Sequence, residues 1–137
     1  MDIIDHAGEP LDEWRPGVAT RMLVSALTGA ERLCVFEQFC DPGTGAPTHL
    51  HVVEEVLTVV DGEAEVWLDG ERAALAAGRS VVVPAGRRHG FRNTGPATLH
   101  VRAILAAPVF EAWFDGEAEA RRRWLPRSRP PYGGAGS

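Results

Sequence analysis

The chain has 137 residues, which fits one domain with a single core, and its 45% hydrophobic and 24% charged residues are ordinary for a globular protein. Its formal net charge of −5 argues against a general nucleic-acid binder, which needs a basic surface to displace counterions. No apolar run approaches the ~20 residues of a membrane-spanning helix, and the N-terminus lacks the basic start and long apolar core of a signal peptide. We therefore expect a cytoplasmic protein without nucleic-acid or membrane partners.

The first predicted elements are irregular, and the elements that follow are β-strands. Residues 1–17 predict an irregular arm that adds a short strand, because prolines and glycines interrupt the pattern. Between residues 18 and 108, short runs of β-branched and aromatic residues are separated by glycine and proline turns. Asp61-Gly62 and Asp69-Gly70 are strong hairpin signals within this region. The pattern predicts an all-β sandwich or barrel.

The two cysteines support a reducing compartment. Cys34 and Cys40 fall six residues apart in one predicted strand, so their Cα atoms would be ~20 Å apart. A disulfide requires a Cα separation below ~7 Å, so the two residues cannot pair with each other along an unbroken strand. Reduced cysteines agree with the expected cytoplasmic location.

After the predicted strands, the spacing of apolar residues changes. Val109, Phe110, Trp113 and Phe114 recur at helical spacing, which predicts a helical extension over residues 109–125.

The two ends of the chain give further expectations. Residues 126–137 are rich in proline and glycine and predict a disordered tail. A small β-barrel exposes sheet edges, and such edges are usually paired or covered. We therefore predict a homodimer, with either the N-terminal strand or the face that carries Trp113 and Phe114 at the interface.

The most informative motif reads Gly43-x5-His49-x-His51-x3-Glu55-x6-Gly62. Two histidines at positions i and i+2 of a strand project to the same face, because side chains alternate with a period of two. A carboxylate four positions after the second histidine keeps that parity. The motif therefore predicts three metal-binding side chains on one face.

A second motif supplies a fourth donor and reads Gly78-x5-Pro84-x-Gly86-x2-His89-x3-Asn93. Its histidine lies in a different predicted strand, after a tight turn. Only a closed sheet can bring that imidazole opposite the first three donors. The two motifs together predict a metal site inside a small barrel.

Both motifs resemble the two signature motifs of the cupin superfamily and match all of their fixed positions. The resemblance covers residues 33–105, and the 15 residues between Gly62 and Gly78 are similar to the spacing in small single-domain cupins of the quercetinase-like type. It implies a double-stranded β-helix, or jelly-roll barrel, which we expect to span residues 18–108. It leaves the reaction open, because the superfamily includes dioxygenases, decarboxylases, lyases, isomerases, sugar-binding sensors and storage proteins.

The expected cofactor is one divalent transition metal. Its predicted ligands are His49, His51, Glu55 and His89. Imidazole and carboxylate donors suit Mn, Fe, Ni, Co, Cu and Zn alike, so the identity of the metal stays open. An octahedral ion with four protein ligands would keep about two positions for water or substrate. Glu55 is also a candidate catalytic base, acting if it leaves the ion.

Several residues are candidates for the wall of a substrate pocket. Phe91 shares the parity of the nearby histidine, and Trp67, Leu57 and Val59 are expected to line the cavity or to form plain core. Arg102 anchors a substrate if its face of the predicted strand points inward. If that face points outward, which we favour, the side chain is solvated or lies at a subunit interface.

Two functions fit this pattern. The first is a metal-dependent enzyme with dioxygenase-like or lyase-like chemistry on a small organic molecule. The second is a non-catalytic small-molecule-binding or regulatory module, although no helix-turn-helix accompanies the predicted barrel. A metal-free epimerase or sugar-binding relative is disfavoured, because such relatives lose the four ligands that this chain retains.

Overall fold

The computed structural model describes residues 1–126 and confirms the all-β prediction. The helices among these residues are two short 3-10 turns, His6–Gly8 and Ala26–Thr28, and no described helix is long and apolar enough to cross a membrane. Nearly all of the remaining regular structure is strand. The strands are β1 Asp12–Arg15, β2 Val18–Val24, β3 Cys34–Cys40, β4 Gly45–Leu50, β5 Glu55–Asp61, β6 Glu63–Leu68, β7 Glu71–Ala76, β8 Arg79–Val83, β9 His89–Asn93, β10 Leu99–Leu105, β11 Phe110–Phe114 and β12 Arg121–Arg123.

These strands form two six-stranded antiparallel sheets with the core between them. The first sheet has the order β1-β2-β3-β10-β5-β8, and the second has the order β12-β11-β4-β9-β6-β7. Strands far apart in sequence, such as β3 and β10, are neighbours in a sheet. This arrangement is the jelly-roll barrel that the resemblance implied. The predicted tail, apart from residue 126, lies outside the described residues.

Strand β10 shows how alternation divides the core from the surface. Leu99, Val101, Ala103 and Leu105 are almost fully buried between the sheets. Arg102, between them in sequence, is exposed on the outer face of the first sheet. The outward orientation favoured for this arginine is therefore the one observed.

The predicted helical extension over residues 109–125 is wrong, because the chain forms strands β11 and β12 there. Phe110 and Phe114 are four positions apart, a spacing that puts two side chains on one face of either a helix or a strand. The segment is a strand because its backbone pairs with β4 and β12. Phe114 is buried and the adjacent Trp113 is half-buried, so alternation puts the two side chains on opposite faces of β11.

The N-terminal arm contributes a strand, because β1 pairs with β2 at the edge of the first sheet. Its Trp14 joins an aromatic cluster between the sheets. The ring centroid of Trp14 lies 5.6 Å from Phe36, 4.7 Å from Phe110 and 5.6 Å from Trp124. Aromatic pairs at such separations stabilise packing beyond the area they bury. The cluster thereby joins the two ends of the described chain to the core.

Strands β4 and β9 approach each other closely where Gly45 faces Phe91. A Cβ atom at Gly45 would lie 2.2 Å from the carbonyl oxygen of Phe91, which real Cβ atoms do not tolerate. The pairing of these two strands carries two of the predicted metal ligands, so the glycine is a structural requirement of the site.

We predict that Gly45→Ala lowers the free energy of unfolding by about 1–3 kcal/mol, the usual cost of overpacking. Gly8→Ala is the matched control, because a Cβ there meets nothing within 4 Å. The measurement is urea unfolding of both variants beside the unchanged protein. Equal stability of the two variants would contradict the close approach.

Candidate metal centre

The four predicted ligands lie together at the centre of the barrel. His49 belongs to β4, Glu55 begins β5, His89 begins β9, and His51 lies in the connection from β4 to β5. One donor atom from each side chain lies within 4.8 Å of all the others, and all four residues are buried. Residues separated by up to 40 positions in sequence therefore converge on one point.

Backbone pairing explains this convergence. His49 and His89 are direct cross-strand partners in β4 and β9. The amide of Gly86 donates a hydrogen bond of 2.7 Å to the carbonyl of His51, which joins the turn before β9 to the β4–β5 connection. The two sequence motifs thus hold each other in place. Glu55 enters from the opposite sheet, where it pairs with Leu105 of β10.

Each imidazole is oriented by a backbone carbonyl. Nδ1 of His49 donates to the carbonyl of Pro47 at 2.7 Å, and Nδ1 of His51 donates to that of Glu111 at 2.7 Å. Nδ1 of His89 donates to the carbonyl of Arg87 at 2.9 Å. A proton held on Nδ1 leaves Nε2 with its lone pair, which is the tautomer that binds a metal. The hydrogen bonds therefore prepare three nitrogen donors.

Among the described residues, the atoms that would bind the metal have too few hydrogen-bond partners. Nε2 of His89 lies 2.7 Å from Oε1 of Glu55, and Nε2 of His51 lies 3.7 Å from the same oxygen. Nε2 of His51 is fully buried and has no hydrogen-bond partner among the described residues. A buried polar atom without a partner is costly, and a carboxylate facing imidazole lone pairs requires a cation between them. These residues fit a bound divalent ion.

The pKa values follow from burial and from the shared carboxylate. Burial, with the nearby histidines, lowers the pKa of His49 to about 3. Burial also lowers the pKa of His51, against the opposing effect of Glu55. Burial alone would lower the pKa of His89, but its hydrogen bond to Glu55 outweighs that effect and raises it. Burial would raise the pKa of Glu55, and the three imidazoles together lower it.

The donors open into a cavity of about 390 Å³, its mouth included, between the two sheets. Its walls are mostly apolar, and Phe91 and Leu57 are among them as expected. The other three candidates lie elsewhere. Val59 is fully buried core, Trp67 lines a separate surface groove, and Arg102 is exposed on the outer face of its sheet.

Several residues that the sequence pattern did not indicate also line the cavity, and three of them are polar or come from the N-terminal arm. Trp14 and Arg15 come from the N-terminal arm, and Gln38 comes from β3. The turn at Pro16-Gly17 before an apolar run predicts a hairpin. It does not predict which face of that hairpin points inward, so no signal in the sequence identified these side chains.

The chain belongs to the cupin family, because the cupin domain matches residues 36–105. Auxin-binding protein 1 of Arabidopsis thaliana is 27% identical over 131 residues, covering 84% of this chain and 66% of that protein. Quercetin 2,3-dioxygenase of Bacillus subtilis is 41% identical over 68 residues, covering 49% of this chain and 20% of that protein. The chain spans less than two thirds of the length of either relative.

The fold also has a solved counterpart. The polyketide cyclase RemF from Streptomyces resistomycificus superposes with a TM-score of 0.69 at 20% identity, covering 91% of this chain and 87% of that one. At this identity the likeness concerns the fold alone. Family membership and the cluster of three histidines and one glutamate together indicate a divalent metal site.

In the metal-free protein, we predict that His49 stays neutral from about pH 5 to pH 8, whereas His89 titrates above the ordinary histidine pKa of about 6.5. The raised pKa means that protonated His89 stabilises the fold at low pH, and that this contribution is lost as the pH rises through that pKa. Two-bond ¹H–¹⁵N NMR of the imidazoles, recorded as a function of pH, measures the titration of both histidines. Titration of His49 near 6.5 would contradict the burial argument.

Proposed function

We propose that this protein is a metal-dependent enzyme that acts on a small organic molecule inside the barrel, with dioxygenase-like or lyase-like chemistry. The metal would be one divalent first-row ion held by His49, His51, Glu55 and His89. The observation that carries the proposal is the convergence of these buried donors within 4.8 Å at an apolar cavity. In an octahedral ion, four protein ligands leave about two coordination positions open for substrate, unlike a closed tetrahedral structural site.

Each part of the site has a role in this proposal. A bound divalent ion supplies positive charge that polarises a coordinated enolate, carboxylate or catecholate. The carbonyls that bind the three Nδ1 atoms keep the imidazoles in position. Phe91 and Leu57 exclude water from the reacting groups. Among the described residues, Glu55 is the one carboxylate that lines the cavity, so we assign it the role of catalytic base when it leaves the ion.

The similarity to quercetin 2,3-dioxygenase motivates the choice of substrates for a test. We predict oxygen uptake or product formation when protein loaded separately with Mn, Fe, Co, Ni, Cu or Zn meets a panel of phenolics, diketones and small carboxylic acids. Activity should depend on the metal and disappear in Glu55→Ala. An oxygen electrode and mass spectrometry of the products provide the readout. If metal-loaded protein binds members of this panel without converting any of them, the proposal that the protein is an enzyme is contradicted.

That contrary result would favour the second candidate, a non-catalytic module that binds a small molecule. Its specific support is the similarity to auxin-binding protein 1, which extends over 131 residues. The same cavity and donors would then hold a ligand without turnover. Calorimetric binding without product separates this function from catalysis.

The metal assignment makes a prediction of its own. We expect His51→Ala and His89→Ala to lower metal affinity by about 100-fold or more, because altering groups that merely orient ligands already costs about 10–100-fold. His6→Ala is the control, since that histidine is exposed in the N-terminal arm. The measurement is metal content by mass spectrometry after equilibrium dialysis.

Both variants should keep the barrel, because the core between the sheets does not depend on the ion. Circular dichroism checks this point. Unfolded variants would show a structural role for the metal, and full metal content in folded variants would contradict the ligand assignment.

We also propose a cytoplasmic location and small-molecule partners. Cys34 and Cys40 are both free and buried, and burial raises the pKa of each thiol to about 12. Inert reduced thiols agree with a reducing compartment. The net charge of −5 disfavours nucleic acid as a partner.

A homodimer is the expected assembly. Trp113 and Phe114 do not form one exposed face, because Phe114 is buried and lines the cavity, so we propose instead the outer face of the first sheet, which has the N-terminal strand β1 at its edge. Cross-strand pairing aligns a row of aliphatic side chains on this face, from β2 through β3, β10 and β5 to β8. The row consists of Val24, Val35, Ile104, Val56 and Val82. Val82 is 55% exposed. Contiguous exposed apolar surface is typical of protein interfaces.

We predict a dimer by light scattering at tens of micromolar, and a monomer for Val82→Asp. Ala73→Asp, an equally polar change at an exposed position of β7 in the other sheet, should leave the dimer intact. If the unchanged protein is a monomer, the prediction of a homodimer is wrong. If Val82→Asp is still a dimer, the interface does not lie on the outer face of the first sheet.

A further inference from the structure

The cavity is lined by a cationic side chain that has no acidic partner among residues 1–126. Arg15 is half-buried and lines the same cavity as the four proposed metal ligands. Among residues 1–126, no carboxylate oxygen lies within 4.0 Å of its guanidinium nitrogens. Within the described part of the chain, its one side-chain hydrogen bond runs from NH1 to the carbonyl of Gly45 at 3.0 Å. A guanidinium has five N–H donors, so most of its donors remain available.

Other arginines near the site differ in this respect. Arg87 is paired with Asp69, and Arg88 is paired with Asp115, so neither cation is free to bind a ligand without losing its partner. Arg121 makes two hydrogen bonds, of 2.8 Å and 2.6 Å, to Glu117. Arg15 is therefore the uncommitted cation among these residues.

The backbone of the arm aims Arg15 inward. Consecutive residues of a regular strand point to opposite faces, yet Trp14 and Arg15 both line the cavity. The register between β1 and β2 shifts between Glu13 and Arg15, which is a β-bulge. Bulges re-aim side chains and are frequent next to active sites. The left-handed Gly17, at φ +83°, then reverses the chain into β2.

Packing against Phe114 holds the guanidinium in place. The central carbon of Arg15 lies 5.4 Å from the centroid of the Phe114 ring, within cation–π range. The same ring also contacts a proposed metal ligand, because Phe114 and His49 stack with centroids 4.8 Å apart. Arg15 is thus coupled to the metal ligands through a single intervening ring.

Arg15 also lies at the mouth of the cavity. Arg15 and Phe114 line both the cavity and an outer groove. The groove also contains two carboxylates, Asp115 and Glu117, which are paired with Arg88 and Arg121. A ligand that passes from the groove toward the metal ligands therefore meets Arg15 and Phe114. Burial lowers the pKa of Arg15, and Arg121 lowers it further, because the two cations repel each other. Glu117 raises this pKa and partly offsets both effects, and the carboxylate of a ligand would offset them further.

We propose that Arg15 binds a carboxylate group of the substrate, so that the site accepts a small organic acid. One carboxylate lies on the guanidinium, and the rest of the molecule extends along the apolar wall toward the metal ligands. The planar guanidinium matches a carboxylate in two parallel hydrogen bonds. This inference rests on the proposed function, since it names the substrate class of the same site.

The test uses Co²⁺-loaded full-length protein, with malonate and succinate as probes and their neutral diamides as matched controls. Isothermal titration calorimetry measures affinity, and the visible bands of Co²⁺ report ligand exchange at the metal. We expect at least one of the two acids to bind about tenfold or more tightly than its diamide, and Arg15→Gln to remove that preference. Arg102→Gln, an exposed arginine on the outer face, should leave it unchanged.

Arg15→Lys keeps the charge but loses the planar pair of donors, so its affinity for the acid should fall between those of Arg15→Gln and the unchanged protein. If Arg15→Gln does not fold by circular dichroism, Arg15→Lys and the comparison of acid with diamide decide the question. Inorganic phosphate is a competing anion, and phosphate that binds as tightly as the better acid would overturn the carboxylate assignment.

The outcomes separate this inference from the proposed function. Protein that holds Co²⁺ at the four ligands but binds acid and diamide equally refutes the role of Arg15 and leaves the metal site standing. Folded, metal-loaded Arg15→Gln that prefers the acid as strongly as the unchanged protein refutes that role in the same way. Protein that does not bind Co²⁺ at those ligands refutes the proposed function, and this inference with it.

Discussion

The buried carboxylate of Glu55 and the imidazoles around it impose the constraint on which the site depends. Oε1 of Glu55 lies 2.7 Å from Nε2 of His89 and 3.7 Å from Nε2 of His51, inside a core with few other polar groups. Each imidazole uses its Nδ1 proton in a hydrogen bond to a backbone carbonyl. The Nε2 atoms of His51 and His89 therefore both face the same carboxylate oxygen. The arrangement is satisfied by a positive charge at its centre, either a proton on His89 or a divalent ion.

The jelly-roll fold brings metal ligands from both sheets together at one point. The second sheet contributes His49 and His89 as cross-strand partners, and the first sheet contributes Glu55 from the opposite side. Backbone hydrogen bonds within the barrel bring the donor atoms within 4.8 Å of one another. The aromatic cluster around Trp14 covers the remaining interior and keeps water away from it. Trp14, Phe36 and Phe110 therefore contribute both to the core and to the wall of the cavity.

Sequence reasoning succeeded where a motif identifies the residues, and failed where pairing with distant strands decides the structure. The four ligands were identified through the cupin resemblance. Alternation along a single strand does not account for them, because His51 lies in the β4–β5 connection and Glu55 lies in the opposite sheet from His49. The strand at Phe110 and Phe114 was not predicted, because their spacing suits helix and strand equally and the pairing strand β4 lies about 60 residues away. The position of Arg15 in the cavity wall was not predicted, because it depends on a bulge in β1 that has no signal in the sequence.

X-ray absorption spectroscopy of the protein loaded with a single first-row metal tests the metal centre most directly. We predict scattering from three imidazoles, light-atom ligands throughout the first coordination sphere, and at least one ligand that exchanges when a small anion is added. Because the two sulfur atoms of Cys34 and Cys40 belong to β3 and are absent from the donor cluster, no metal–sulfur distance is expected. Fewer than three imidazoles, a sulfur ligand, or a closed four-coordinate ion without an exchangeable position would contradict the proposed centre.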